Sequence, residues 1–144
     1  MNIRQILLGK PVNTIYSVRP DATVYHALEL MSEKNIGAVL VMDNGRLVGI
    51  FSERDYARKG ILMGRASRDT LIHEVMTSRL ITIQTSDKLE DAMLLMSQKH
   101  IRHLPVVDVE NLIGIISIND VVSAIIREQK AQIASLENYI SGTY

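Results

Sequence analysis

The sequence predicts an α/β (α+β) fold of two β-α-β-β-α repeats followed by a long C-terminal helix. Three observations carry that prediction: self-similarity at a constant offset, apolar spacing that switches between helical and strand periods, and a final helical pattern free of breakers. Ala27 is matched by Ala92, 65 positions on, and the same offset pairs Met31 with Met96, Ser32 with Ser97, Lys34 with Lys99, Ile36 with Ile101 and Asp43 with Asp108. It continues without slipping through Leu47 and Leu112, Gly49 and Gly114, Ile50 and Ile115, Ser52 and Ser117, and Asp55 and Asp120.

Each copy opens on a short apolar stretch, Ile15 to Val18 and Leu80 to Ile83, read as a strand. A turn-rich step leads into a helix. Val24, Ala27, Leu28 and Met31 follow the i, i+3, i+4, i+7 pattern, and Leu89, Ala92, Met93 and Met96 repeat it, so one stripe of each helix faces a core. Two β-rich runs follow, Ala38 to Asp43 and Leu47 to Ser52, joined by Asn44-Gly45, whose tolerance of positive φ suits a tight hairpin. The second copy turns instead through Val109 to Asn111. A second helix is expected after each hairpin. Neither copy covers both faces of its small sheet, so the two are expected to pack together. The last helix runs from about Asn119 to about Ile140 without Gly or Pro. Ile125, Ile126, Ile133, Leu136 and Ile140 keep helical spacing on it, which calls for packing against the N-terminal Ile3, Ile6 and Leu7 or against a second subunit. The chain thus divides into an N-terminal segment 1–13, repeats at 14–70 and 71–128, and a helical extension 129–144.

Composition narrows the function. The 144 residues suffice for a core without metal or disulfide support, and with no cysteine neither a disulfide nor a thiolate metal site can form. Lys+Arg and Asp+Glu each total 16, so no broad field attracts nucleic acid or anionic lipid. No apolar run reaches the roughly 18 residues of a membrane span, and the N-terminus lacks a secretory core; a cytoplasmic protein is expected. The basic run Arg54, Arg58, Lys59, Arg65 and Arg68 reads as a solvated face distally, with Arg54 the member assigned to a ligand. His100 and His103 are spaced i, i+3 but lead into a strand with no further ligand nearby, so no zinc site is expected. His26 and His73 read as surface or boundary residues, and Met31, Met63, Met93 and Met96 as core filling. There is no G-x-x-x-x-G-K loop, no G-x-S-x-G elbow and no nucleophile-base pair, so no turnover is expected.

The strand-to-helix junctions are the most informative local feature. They read Gly49-Ile50-Phe51-Ser52-Glu53-Arg54-Asp55 and Gly114-Ile115-Ile116-Ser117-Ile118-Asn119-Asp120. Ser-x-x-Asp is a capping box in its structural reading. In its functional reading the same geometry presents free N–H groups to a phosphate and a carboxylate to ribose hydroxyls. Repetition at equivalent places favours the second.

With these junctions, the doubled β-α-β-β-α pattern, His103-Leu104-Pro105-Val106-Val107-Asp108 and Val75-Met76-Thr77, the chain resembles the paired cystathionine-β-synthase (CBS) domains, or Bateman modules, of stand-alone bacterial type. The resemblance covers nearly the whole chain. It implies two repeats packed through their sheets with pseudo-twofold symmetry, clefts between them for AMP, ADP, ATP, NAD(H) or S-adenosylmethionine, a homodimer, and no catalytic cofactor. Carried over by residue, it implies a first cleft of Thr14, Tyr16, Ile36, Gly37, Ala38, Ser52, Arg54 and Asp55. The second takes Thr77, Arg79, Ile81, Ile101, Arg102, His103, Ser117, Asn119 and Asp120. Asp55 and Asp120 would hold the riboses, Ser52 and Ser117 lie beside phosphate, the backbone of 36–38 and 101–103 read the adenine edge, and Tyr16 and Ile81 pack on the ring. Arg54 opposite Asn119, and Arg102 opposite Gly37, make the clefts inequivalent. The expected role is a regulatory nucleotide sensor acting in trans on an unknown protein effector. The alternative is a protein-interaction or nucleic-acid scaffold with vestigial clefts.

Overall fold

The computed structural model describes residues 1–142, and the chain forms two compact units. They do not follow the sequence repeats. Helix α1 (Ile3–Leu8) at the start of the chain belongs with residues 82–142, which hold the second repeat. Residues 15–81 form the other unit, which contains the first repeat and the segment leading into the second.

In the 15–81 unit, β1 (Ser17–Val18) runs parallel to β2 (Ala38–Asp43), which pairs antiparallel with β3 (Arg46–Ser52). Between β1 and β2 lies α2 (Val24–Lys34), capped by the Thr23 side chain and closed by Asn35 in the left-handed region. Its Val24, Ala27 and Met31 are buried as the spacing predicts, and they join Val39, Val41 and Phe51 in the core. The second helix of this repeat departs from expectation. It begins as a single turn, α3 (Glu53–Asp55), widens into a π-helical stretch at Tyr56–Gly60 and ends in a 3₁₀ turn at Ile61–Met63. Gly60 (ψ −92°) and the left-handed Gly64 lie where a regular helix would have continued. Helix α4 (Ile72–Val75) completes the core by burying Ile72 and Val75.

In the other unit, β4 (Ile83–Gln84) runs parallel to β5 (His103–Asp108), which pairs antiparallel with β6 (Asn111–Ser117). Helix α5 (Leu89–Lys99) buries Leu89, Ala92 and Met96 and ends at His100, again left-handed. Helix α1 fills the place that α4 fills in the first unit: Ile3, Ile6 and Leu7 are buried, and Leu7 lies so close to Gly114 that a Cβ there would stand 3.1 Å from its Cδ2. Gly49 is equally constrained, because a Cβ would meet Met76 Sδ at 2.5 Å and the Thr77 carbonyl at 3.1 Å.

Helix α6 (Ile118–Ser141) is longer than its repeat counterpart and buries only Val121 and Ala124. The N-terminal segment packs along its first turns, where Arg127 donates to the Gly9 carbonyl at 3.1 Å and the terminal amine lies 3.7 Å from Glu128. It does not cover the extension as one alternative in the sequence had it; residues 129–142 are exposed throughout, Ile133, Leu136 and Ile140 among them. Two methionines also differ from expectation: Met31 and Met96 are buried, but Met63 and Met93 are exposed.

Candidate functional site

Both Ser-x-x-Asp junctions fold as capping boxes. In the 15–81 unit the Asp55 N–H donates to Ser52 Oγ (3.2 Å), while Asp55 Oδ2 accepts from the Ser52 N–H (3.0 Å) and hydroxyl (3.1 Å). In the other unit the Asp120 N–H donates to Ser117 Oγ (3.3 Å) and Asp120 Oδ2 accepts from the Ser117 N–H (2.8 Å). The box alone fills only part of a carboxylate's roughly four lone-pair positions; at Asp55 the Thr77 hydroxyl and Lys59 take up Oδ1 as well, so a further donor there displaces one of them.

Around these boxes the structure gathers most of the residues singled out in the sequence. In the first unit Ala38 pairs with Ser52 across β2 and β3, and the Gly37 carbonyl accepts the Glu53 N–H at 3.1 Å, bringing 36–38 against the junction. Tyr16 lies alongside, its carbonyl accepting from the Leu40 N–H at 3.2 Å and its ring 5.5 Å from Lys34 Nζ. In the second unit His103 pairs with Ser117 and the Arg102 carbonyl accepts the Ile118 N–H at 2.8 Å, so Ile101, Arg102 and His103 repeat the arrangement beside Asn119 and Asp120.

Thr77 is placed differently from the sequence assignment. It was grouped with Asp120, but its hydroxyl donates to Asp55 Oδ1 at 3.0 Å, and its backbone exchanges hydrogen bonds with Ile50 at 2.8 and 3.0 Å. The reason is the segment exchange: the stretch leading into the second repeat folds onto β3 of the first. Arg79 and Ile81 fall in that same unit, whereas Thr14 falls with the second repeat.

Two lysines complete the junctions, and neither was assigned there from sequence. Lys59 Nζ lies 3.3 Å from Asp55 Oδ1, one helical turn along, and 3.4 Å from Thr77 Oγ1. Lys10 Nζ lies 3.1 Å from Asp120 Oδ2 and donates to the Ile115 carbonyl at 2.8 Å. The i, i+4 spacing of Asp55 and Lys59 was the available signal for the first; nothing local marks Lys10. Asp55 therefore has both oxygens engaged and is 8% exposed. The Asp120 side chain is 21% exposed, and the Ser117 N–H and Lys10 both meet it at Oδ2.

His103, half-buried beside Asp120, has its pKa lowered from 6.5 chiefly by burial; the Asp120 carboxylate pulls it up, while Arg102 and Lys10 push it further down. The distal basic residues have uses within their own unit: Arg65 pairs with Glu74 at 3.4 Å, and the Arg68 guanidinium stacks 4.1 Å from the Tyr25 ring centroid. Among the described residues, no three His, Asp or Glu side chains come together as a metal cluster, and no helix is long and apolar enough to cross a membrane.

Comparison with known proteins agrees with this geometry. The CBS domain family profile matches the chain twice, at residues 4–61 and 72–127. The mitochondrial CBS domain-containing protein CBSX3 of Arabidopsis thaliana is 42% identical over 129 residues, covering 86% of this chain and 63% of that protein, somewhat under two thirds of its length. YhcV of Bacillus subtilis is 39% identical over 106 residues, covering 74% of this chain and 75% of that one. Among solved structures, a CBS-domain protein from Burkholderia ambifaria superposes with a TM-score of 0.87 at 44% identity, over 90% of this chain and 96% of its own. With both repeats matched and more than half of the chain covered, the chain belongs to the CBS domain family, as a tandem pair.

Proposed function

We propose that the protein is a regulatory sensor that binds an adenosine-containing ligand at each Ser-x-x-Asp junction and signals occupancy to a partner protein. One observation carries the reading: in each unit an aspartate at the start of a helix is bracketed by a serine, a lysine and the backbone of the preceding strand. A carboxylate accepts both hydroxyls of a ribose, lysine answers a phosphate, and strand backbone reads a purine edge. Pairs of CBS domains are regulatory modules for such ligands, and the Burkholderia relative is named for signal transduction. A CBS pair of the same fold, 24% identical, was solved with 5′-methylthioadenosine and S-adenosylmethionine. No reaction is assigned to the site. The signal follows from differential affinity: a ligand that prefers one conformation of the module shifts the population towards it, and a partner or the dimer face reads the shift.

Calorimetric titration of nucleotide-free protein with AMP, ADP, ATP, NAD and S-adenosylmethionine tests the reading, repeated on Asp55→Ala and Asp120→Ala after their folding is checked by circular dichroism. Micromolar binding of at least one ligand, equivalent to about −8 kcal/mol, is expected, with one site lost in each variant. Absence of heat from folded wild-type protein would overturn it.

A further inference from the structure

Each carboxylate assigned to a ribose already holds a lysine, and the two lysines come from unrelated positions. At the repeat offset Lys59 stands opposite Ala124, and Lys10 opposite Val75. Duplication of one ancestral unit accounts for Asp55 and Asp120 but not for their cations, which each half supplies separately. Stability is a weak explanation of the first, because Lys59 is 47% exposed and such pairs contribute little. Lys10 is 17% exposed, with its ammonium shared between a carboxylate and a backbone carbonyl.

We propose that Lys59 and Lys10 are the specificity-determining residues of the two junctions, selecting ligands with an anionic 5′ group over neutral nucleosides and over the cationic sulfonium of S-adenosylmethionine. The inference rests on the nucleotide reading above. A ribose diol that donates to Asp55 or Asp120 competes with the lysine for the same oxygens. A neutral nucleoside makes the lysine give up part of its counter-charge and returns nothing. A phosphate supplies a second anion, and the flexible four-carbon stem lets the ammonium turn towards it while staying near the carboxylate. A sulfonium instead places a second cation beside the first. One charge-assisted contact of this kind corresponds to roughly ten- to a hundredfold in affinity.

The test titrates adenosine, AMP and S-adenosylmethionine into wild type, Lys59→Met, Lys10→Met and Lys10→Arg, each checked for folding by its thermal melt. Wild type is expected to favour AMP over adenosine by at least about tenfold. Each methionine variant should lose that preference at its own site, with adenosine affinity equal or higher because the carboxylate is no longer shared, and Lys10→Arg should retain it. An AMP-to-adenosine ratio near one in wild type, or one unchanged in both methionine variants, removes the lysine inference and leaves the nucleotide reading standing. If folded wild type binds none of the three, and no ADP, ATP or NAD either, the nucleotide reading fails and takes this inference with it.

Discussion

Replacing Asp55 with alanine should cost the protein about 2.5–4.5 kcal/mol of stability, a figure that follows from what the carboxylate holds. Its Oδ2 accepts the Ser52 N–H and hydroxyl at 3.0 and 3.1 Å, and loss of a helix-start contact of that kind costs about 1 kcal/mol. Its Oδ1 accepts the Thr77 hydroxyl at 3.0 Å in a residue 8% exposed, where a hydrogen bond to a charged group is worth roughly 1.5–3 kcal/mol. Lys59 adds at most about 0.5 kcal/mol, since its side chain is 47% exposed. Asp120→Ala removes less, a Ser117 N–H and a Lys10 pair around a side chain 21% exposed, for about 1–2 kcal/mol. In a chain of this length 1 kcal/mol moves Tm by about 2–4 °C, so the first variant should melt roughly 5–15 °C below wild type. Urea unfolding followed by far-ultraviolet circular dichroism, with both variants run beside wild type, measures the difference. Equal losses, or no loss from Asp55→Ala, would refute the assignment of Thr77 and Ser52 to that carboxylate.

Three further outcomes follow from the same structure. Val109, β-branched and 77% exposed, turns the second hairpin at φ 59°, where the first hairpin has Asn44 at φ 50°; Val109→Asn should stabilise by about 1 kcal/mol, seen as a Tm rise of about 2–4 °C, and no rise would mean the strain is absent. Burial holds the His103 pKa below 6.5, so the unfolded chain takes up its proton first; the contribution is complete above 6.5 and is lost as pH falls through the folded value, with a slope of at most about 1.4 kcal/mol per pH unit. Stability curves of wild type and His103→Gln should therefore diverge below pH 6.5, and parallel curves would contradict it. Ending the chain at Lys130 removes no buried side chain among the described residues and should leave Tm within about 2 °C, whereas a larger, concentration-dependent drop would show that a second copy covers the extension.

What the sequence could reveal follows the range of the interactions. The α2 and α5 stripes and the capping serines were legible because a helix writes its buried face at i, i+3 and i+4, and a cap writes itself within three residues. The Asn44-Gly45 turn was legible for the same local reason. Thr77 at Asp55 and Lys10 at Asp120 were not, because each contact joins a repeat to a segment tens of residues or more away, and no periodicity records which sheet such a segment will meet. The π-helical widening at Tyr56–Gly60 was hidden for another reason: its residues are compatible with an ordinary helix, and only the packing around them chooses between the two.

The exchange of α1 and α4 has a consequence for inheritance. The stretch that was duplicated and the stretch that folds are out of phase by one short helix. A gene fragment cut at the repeat boundary and encoding residues 71–144 would carry Ile72 and Val75, which belong to the other repeat's core, and would lack Ile3, Ile6 and Leu7, which belong to its own. Recombination that separates the halves at that boundary thus hands each a helix for a core it no longer possesses.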